Sequence, residues 1–367
     1  MQTDKATVDI VDPYRRIFLG ASAVVLSGVA VGGAGLALPA AASVQPTAAS
    51  QPTVIGYPDR KGVHLERVTF PNTAAKTLVA GNLFKPAGMD SSKRYAAIVV
   101  GHPFGGVKEQ TSGLHAQKLA ELGYVALAFD ASHWGDSRGE PRNTEVPSTR
   151  VGDYSACIDF LSNHPQVDAQ RIGVLGICGG GGYAVSAAQI DHRIKAIATV
   201  SMYDMGRARR QGLGDTLTYE QRMKILDDVA QQRTKEARGE PRRDISPIPT
   251  EIDANTPKIV REFYDYYLTP RGQHPHANNL YAFTSLAPMM NFFPFAQIET
   301  ISPRPLLMIV GENAESAYFS QDAFSKAVEP KELFVVPGAT HVDLYDRPAY
   351  TQQSIEKLNA FFTRHLA

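Results

Sequence analysis

The chain has 367 residues, 43% of them hydrophobic, which is enough to bury a sizeable core in one large domain. Its 37 Lys and Arg balance 37 Asp and Glu, so the formal charge is zero. That balance argues against a nucleic-acid partner, which would want a basic excess.

The first fifty residues stand apart. Tyr14, Arg15, Arg16, Ile17, Phe18 and Leu19 lead into a Gly/Ala/Val run that ends in Ala40, Ala41 and Ala42. Paired arginines, a mildly apolar run and small residues at its end predict a twin-arginine export signal over residues 1–42, and hence a periplasmic or secreted protein. The run is long enough to cross a bilayer, but its glycines and alanines make a poor anchor, so no stable membrane insertion is expected once the signal is removed. Residues 43–59, rich in Ala, Pro, Gln and Ser, read as a disordered lead-in to a domain over residues 60–367.

Strands are predicted near 64–70 and 77–84 as an antiparallel hairpin. Strand 96–100, helix 114–122, strand 125–129 and helix 151–163 then alternate up to an apolar strand ending at Ile177. This alternation predicts a mostly parallel sheet with helices on both faces. Gly101, His102, Pro103, Phe104, Gly105 and Gly106 form a small-residue loop after the first of these strands. His102 is read as ordering that loop, and Asp130 and Asp136 as stabilising the loop after strand 125–129. Cys157, inside helix 151–163, is read as a small buried apolar residue, too far from Cys178 for a bridge.

Gly176, Ile177, Cys178, Gly179 and Gly180 make a sharp strand-to-helix turn with a cysteine at its tip. Strained backbone at a nucleophile needs neighbours without Cβ atoms, and the helix N-terminus aimed at the sulfur favours thiolate and oxyanion. Strand 194–201 follows, then Asp204. Between residues 205 and 300 the alternation breaks into helices near 219–232 and 257–268, around a Pro- and charge-rich stretch at 239–250. Phe263, Tyr264, Tyr266, Tyr267, Met289, Met290, Phe292 and Phe293 give this segment an aromatic and thioether surplus, a minority of which is expected to line an apolar pocket. Strand 305–311 precedes Glu312, Ala314 and Glu315. A further strand from 332 ends in a turn carrying His341, and a helix near 350–365 closes the chain.

Four stretches, Gly101 to Gln110, Phe129 to Pro141, the Cys178 turn and Thr340 to Asp346, carry a family resemblance. On them, residues 60–365 resemble the dienelactone-hydrolase-related α/β-hydrolases. The likeness is nearest to a subgroup linked to X-Pro dipeptidyl-peptidase-like hydrolases and fungal polyketide thiohydrolases. The resemblance implies an α/β-hydrolase fold with a helical cap over the active site at about 205–300 and no metal or organic cofactor. It further implies a Cys-His-acid triad that cleaves an ester, thioester or lactone of a small molecule through an acyl-enzyme. Cys178 is then the nucleophile and His341 the base, while Phe104 and Gly179 supply the oxyanion N–H groups; Pro103 has none to give. The acid is Asp204 or Glu312, with Glu315 behind them, since Ala314 stands where an aspartate is usual. A prolyl-type peptidase and a non-catalytic binding protein on the same fold are the rival readings. Cleavage of an X-Pro amide would mark the first, and an unreactive Cys178 the second. Nothing in the sequence points to an oligomeric state.

Overall fold

The computed structural model describes residues 61–367; the export signal and lead-in expected over residues 1–59 lie outside the described residues. Strands β1 (His64–Asn72) and β2 (Thr77–Lys85) form the predicted hairpin, paired antiparallel from His64 opposite Lys85 to Asn72 opposite Thr77. Then come β3 (Tyr95–Gly101), helix α1 (Thr111–Glu121), β4 (Val125–Phe129), α2 (Pro147–Ser162), β5 (Val167–Ile177), α3 (Gly179–Ile190) and β6 (Ala196–Val200). Every residue of β4 and β6 is buried, as is β3 after Tyr95. Continuous runs of Val, Ile, Ala and Leu of this kind suit strands covered by helices on both faces. Helix α2 starts earlier than residue 151 because Pro147 sits in its first turn, where a fixed φ and a missing N–H cost nothing.

The segment between β6 and the next sheet strand holds α4 (Met205–Gln211), α5 (Tyr219–Ala237), β7 (Asp244–Ile245), α6 (Lys258–Tyr267), β8 (Tyr281–Ala282) and α7 (Leu286–Met290). Helix α5 opens on a capping box, Thr218 with Gln221, and runs past the predicted end to Ala237. The chain finishes with β9 (Leu306–Gly311), α8 (Ala317–Lys326), β10 (Lys331–Val336), the short α9 (Asp343–Asp346) and α10 (Pro348–His365). Among the described residues, no helix is long and apolar enough to cross a membrane.

Eight strands form one sheet in the order β1-β2-β4-β3-β5-β6-β9-β10, parallel except where β2 meets β1 and β4. From β3 the chain steps outward to β4, then returns to place β5 on the other side of β3. At such a reversal the loops leaving the C-terminal ends of the two central strands part, and a crevice opens between them. The loop after Gly101 and the turn after Ile177 flank that crevice, because Gly101 and Gly176 are register partners across β3 and β5.

Candidate active site

Cys178 makes the whole turn from β5 to α3, with φ 53° and ψ −122°. A side chain in that backbone region is strained and must be held by its surroundings. The Cys178 N–H donates to Val200 O at 3.0 Å, and its carbonyl accepts from the Tyr203 N–H at 2.9 Å. Glycines let helix and strands close on one another. A Cβ on Gly176 would lie 2.4 Å from Gly180 O, and one on Gly180 would lie 2.7 Å from the carbonyls of Gly101 and His102. The Tyr154 hydroxyl, from α2, props the same corner by donating to Gly180 O at 2.8 Å.

The backbone N–H groups of Gly179 and Phe104, the pair predicted to hold an oxyanion, both donate toward the Cys178 sulfur. His102 orders the Phe104 loop. Its Nδ1 lies 2.6 Å from Pro103 O, and its Nε2 accepts from the Ala131 N–H at 3.0 Å and from Arg150 Nη1 at 2.9 Å. Burial, with the Arg150 charge beside it, pulls the His102 pKa well below the usual histidine value, so the ring is a neutral tie between loops. Asp130 likewise binds the next loop, accepting from the Lys108 and Asp136 N–H groups at 2.7 and 2.8 Å. Cys157 is fully buried and unbridged.

His341 is fully buried on the loop after β10. Its carbonyl accepts from Ser201 Oγ at 2.9 Å, and the rings of Phe263 and Tyr203 meet the imidazole edge-on at 5.4 and 6.0 Å. Nδ1 lies 2.5 Å from Ser316 Oγ, and Nε2 lies 3.0 Å from the Tyr345 hydroxyl. Burial pulls its pKa down to about 3. Burial also pushes the Cys178 thiol up, opposed by its hydrogen bond with Tyr345, by the Gly179 and Phe104 N–H groups and by the Arg150 charge. Both groups are therefore neutral at rest near neutral pH.

Neither carboxylate predicted to stand behind His341 is hydrogen-bonded to it. Asp204 caps α4 instead, accepting from the Arg207 N–H at 2.8 Å. Glu312 is exposed and accepts from the Gly338 N–H at 2.8 Å; Glu315 is exposed as well. The cause lies in the turn after β9. The Ala314 N–H bonds Gly311 O at 3.1 Å and the Asn313 N–H bonds Ala339 O at 2.8 Å, which leaves both glutamates outside and buries Ser316 beside the imidazole. Asp204→Ala and Glu312→Gln are each expected to keep kcat/KM within about three-fold of the parent in steady-state assays. Losing the helix cap should cost the first variant about 1 kcal/mol, readable by denaturant unfolding.

The sulfur faces a cavity of about 440 Å³ whose walls include Phe104, Met205, Ile225, Phe263, Tyr267 and Leu286. Of the aromatic and thioether surplus in the 205–300 segment, Phe263, Tyr267 and Met290 reach it. Arg209 also lines it, with its guanidinium 5.2 Å above the Phe104 ring and 5.6 Å above that of Tyr281. Its buried Nε has no hydrogen-bond partner, whereas Arg207 pairs with Asp215 and Arg210 donates to the carbonyls of Met290 and Phe292.

Residues 79–224 match the dienelactone hydrolase family. The uncharacterised protein PA2218 of Pseudomonas aeruginosa is 45% identical over 84% of this chain and 83% of its own length. The chain belongs to the dienelactone hydrolase family. The crystal structure of PA2218 agrees with the fold at a TM-score of 0.82, with 42% identity, covering 86% of this chain and 98% of that one. Within the same set of relatives, YcjY of Escherichia coli is 37% identical over 82% of this chain and 99% of its own length. A thiohydrolase of Eupenicillium brefeldianum is 28% identical over 75% of this chain and 87% of its length. The protein is thus an enzyme of the α/β-hydrolase type, and its mostly parallel sheet is the one that the family resemblance implied.

Proposed function

We propose that the protein hydrolyses an ester, thioester or lactone of a small organic molecule, with Cys178 as nucleophile and His341 as base. The observation that carries this reading is the Cys178 sulfur, held at the tip of a strained turn between two backbone N–H donors and open to an apolar cavity. The thiol gives its proton toward His341 as sulfur bonds to the carbonyl carbon. The N–H groups of Phe104 and Gly179 hold the resulting oxyanion, each good donor being worth about 3 kcal/mol. The tetrahedral centre collapses, the alcohol or thiol leaves with the proton from His341, and water deprotonated by His341 cleaves the acyl-thioester.

Amides fit this site less well than esters. Expelling an amine needs a proton delivered to nitrogen before the better leaving group, the thiolate, departs. His341 has no carboxylate bonded to its Nδ1 to stabilise the imidazolium that would hold that proton. The relative named as a thiohydrolase supports activated carbonyls, and so does the apolar wall. The pattern in residues 1–42 supports work outside the cytoplasm after twin-arginine export. Turnover of p-nitrophenyl acetate and of a short acyl thioester by the mature chain tests the reading; inactivity toward both would count against it.

Arg209 refines the substrate. A guanidinium set over two rings, with no hydrogen bond to its buried Nε, can bind an acyl chain that ends in a carboxylate. Arg209→Met should lower kcat/KM for a succinyl half-ester about ten-fold or more while changing the butyryl ester little, a charge-assisted bond being worth about 1.5–3 kcal/mol. Equal effects on the two esters would remove that role.

A further inference from the structure

No hydrogen bond among the described residues joins the thiol directly to the imidazole. One side chain is bonded to both: the Tyr345 hydroxyl lies 3.0 Å from His341 Nε2 and is hydrogen-bonded to Cys178. We propose that Tyr345 is a catalytic residue, the relay through which the Cys178 proton reaches His341. The inference rests on the Cys178 and His341 roles proposed above.

Its placement is built into the fold. Tyr345 lies on the short helix α9, four residues after His341 in the loop that leads into it, and its hydroxyl turns back to the imidazole. The two rings meet at 5.5 Å. Tyr345 is fully buried and packs against Tyr266 at 5.1 Å and Tyr267 at 6.3 Å. Its carbonyl is tied to α1 by the Thr111 hydroxyl at 2.9 Å, and its hydroxyl also bonds Tyr267. The imidazole is held as firmly, by Ser316 at Nδ1 and by the rings of Phe263 and Tyr203. With both rings held by these contacts, the phenol is the group that joins sulfur and imidazole in the structure.

The tautomers fit one direction of transfer. With Nδ1–H donating to Ser316 Oγ, Nε2 carries a lone pair and accepts from the Tyr345 hydroxyl; the phenol oxygen in turn accepts from the Cys178 S–H. As sulfur attacks, the S–H bond breaks toward Tyr345 Oη and the Tyr345 O–H bond breaks toward Nε2. Two protons shift together and one net proton passes from sulfur to imidazole. The phenol ends as it began, and no phenolate builds up. The reverse shift returns the proton to the departing oxygen or sulfur.

Tyr345→Phe keeps the ring and removes only the relay. It should lower kcat/KM toward p-nitrophenyl acetate about 100-fold or more, the scale of positioned proton transfer. It should slow iodoacetamide alkylation of Cys178 in parallel. A Tyr345→Phe enzyme within about three-fold of the parent on both assays, while Cys178→Ala and His341→Ala are inactive, would overturn the relay and leave the nucleophile and base standing. Turnover that survives Cys178→Ala would overturn the reading beneath it. The parent enzyme supplies a test that needs no substitution. In mixtures of light and heavy water, its acylation rate should fall along a curve, since two protons move in one step; a straight line, the mark of one moving proton, would overturn the relay.

Discussion

Cys178→Ala is expected to lower kcat/KM toward p-nitrophenyl acetate and a short acyl thioester by at least about 10⁴-fold, leaving only the rate from binding and the oxyanion donors. Without the sulfur that the Gly179 and Phe104 N–H groups approach, there is no covalent intermediate. The variant should fold, because alanine removes one atom from a residue whose backbone is held by Val200 and Tyr203. Cys178→Ser is the more telling control. An alcohol is a far weaker acid than a thiol and needs a stronger base, yet His341 is backed by a serine hydroxyl instead of a carboxylate. The serine variant should therefore stay at least about 100-fold below the parent, the scale of general-base assistance. A serine enzyme equal to the parent would show that His341 is a stronger base than its surroundings imply.

The second large effect is on pH. Burial holds the pKa of His341 at about 3, so the imidazole is the neutral, proton-accepting form through mildly acidic pH. The acid limb of kcat/KM should accordingly fall below about pH 4, against about 6.5 for an ordinary histidine. Ser316→Asp puts a carboxylate at Nδ1, favours the imidazolium and should move that limb up by one unit or more. At about pH 4 the variant should then retain about half or less of its plateau rate, while the parent keeps about nine-tenths of its own. A parent limb near 6.5 would contradict the burial argument. Stability carries the same sign. The unfolded chain protonates this histidine below about 6.5 and the folded one only near 3, so the contribution present at neutral pH is lost progressively as pH falls between those values.

Much of this architecture is readable from residue pattern. The buried strands declare themselves as runs of Val, Ile and Ala, and the turn at Cys178 as glycines spaced where backbones must nearly touch. Gly101 opposite Gly176 then brings Phe104 to the thiol, so the two backbone N–H groups beside the sulfur follow from strand order. The group behind His341 does not follow. Counting from Gly311 leads to Ala314 and its flanking glutamates, but two backbone hydrogen bonds in that turn decide which side chain faces inward, and Ser316 carries no charge to mark it. Tyr345 hides for another reason. Its helix spans only Asp343–Asp346, too short to leave a periodic trace, and a tyrosine beside other aromatics reads as core. Its distance of four residues from His341 is the signal that could have found it.

Brief exposure of the mature enzyme to p-nitrophenyl acetate, acid quenching and mass measurement of the intact chain and its peptides tests the central claim most directly. One acetyl group on the peptide carrying Cys178, present at early times and gone once substrate is exhausted, is the result expected of an acyl-thioester on the reaction path. Turnover with no acyl adduct, or an adduct that persists on another residue while Cys178 stays free, would contradict it.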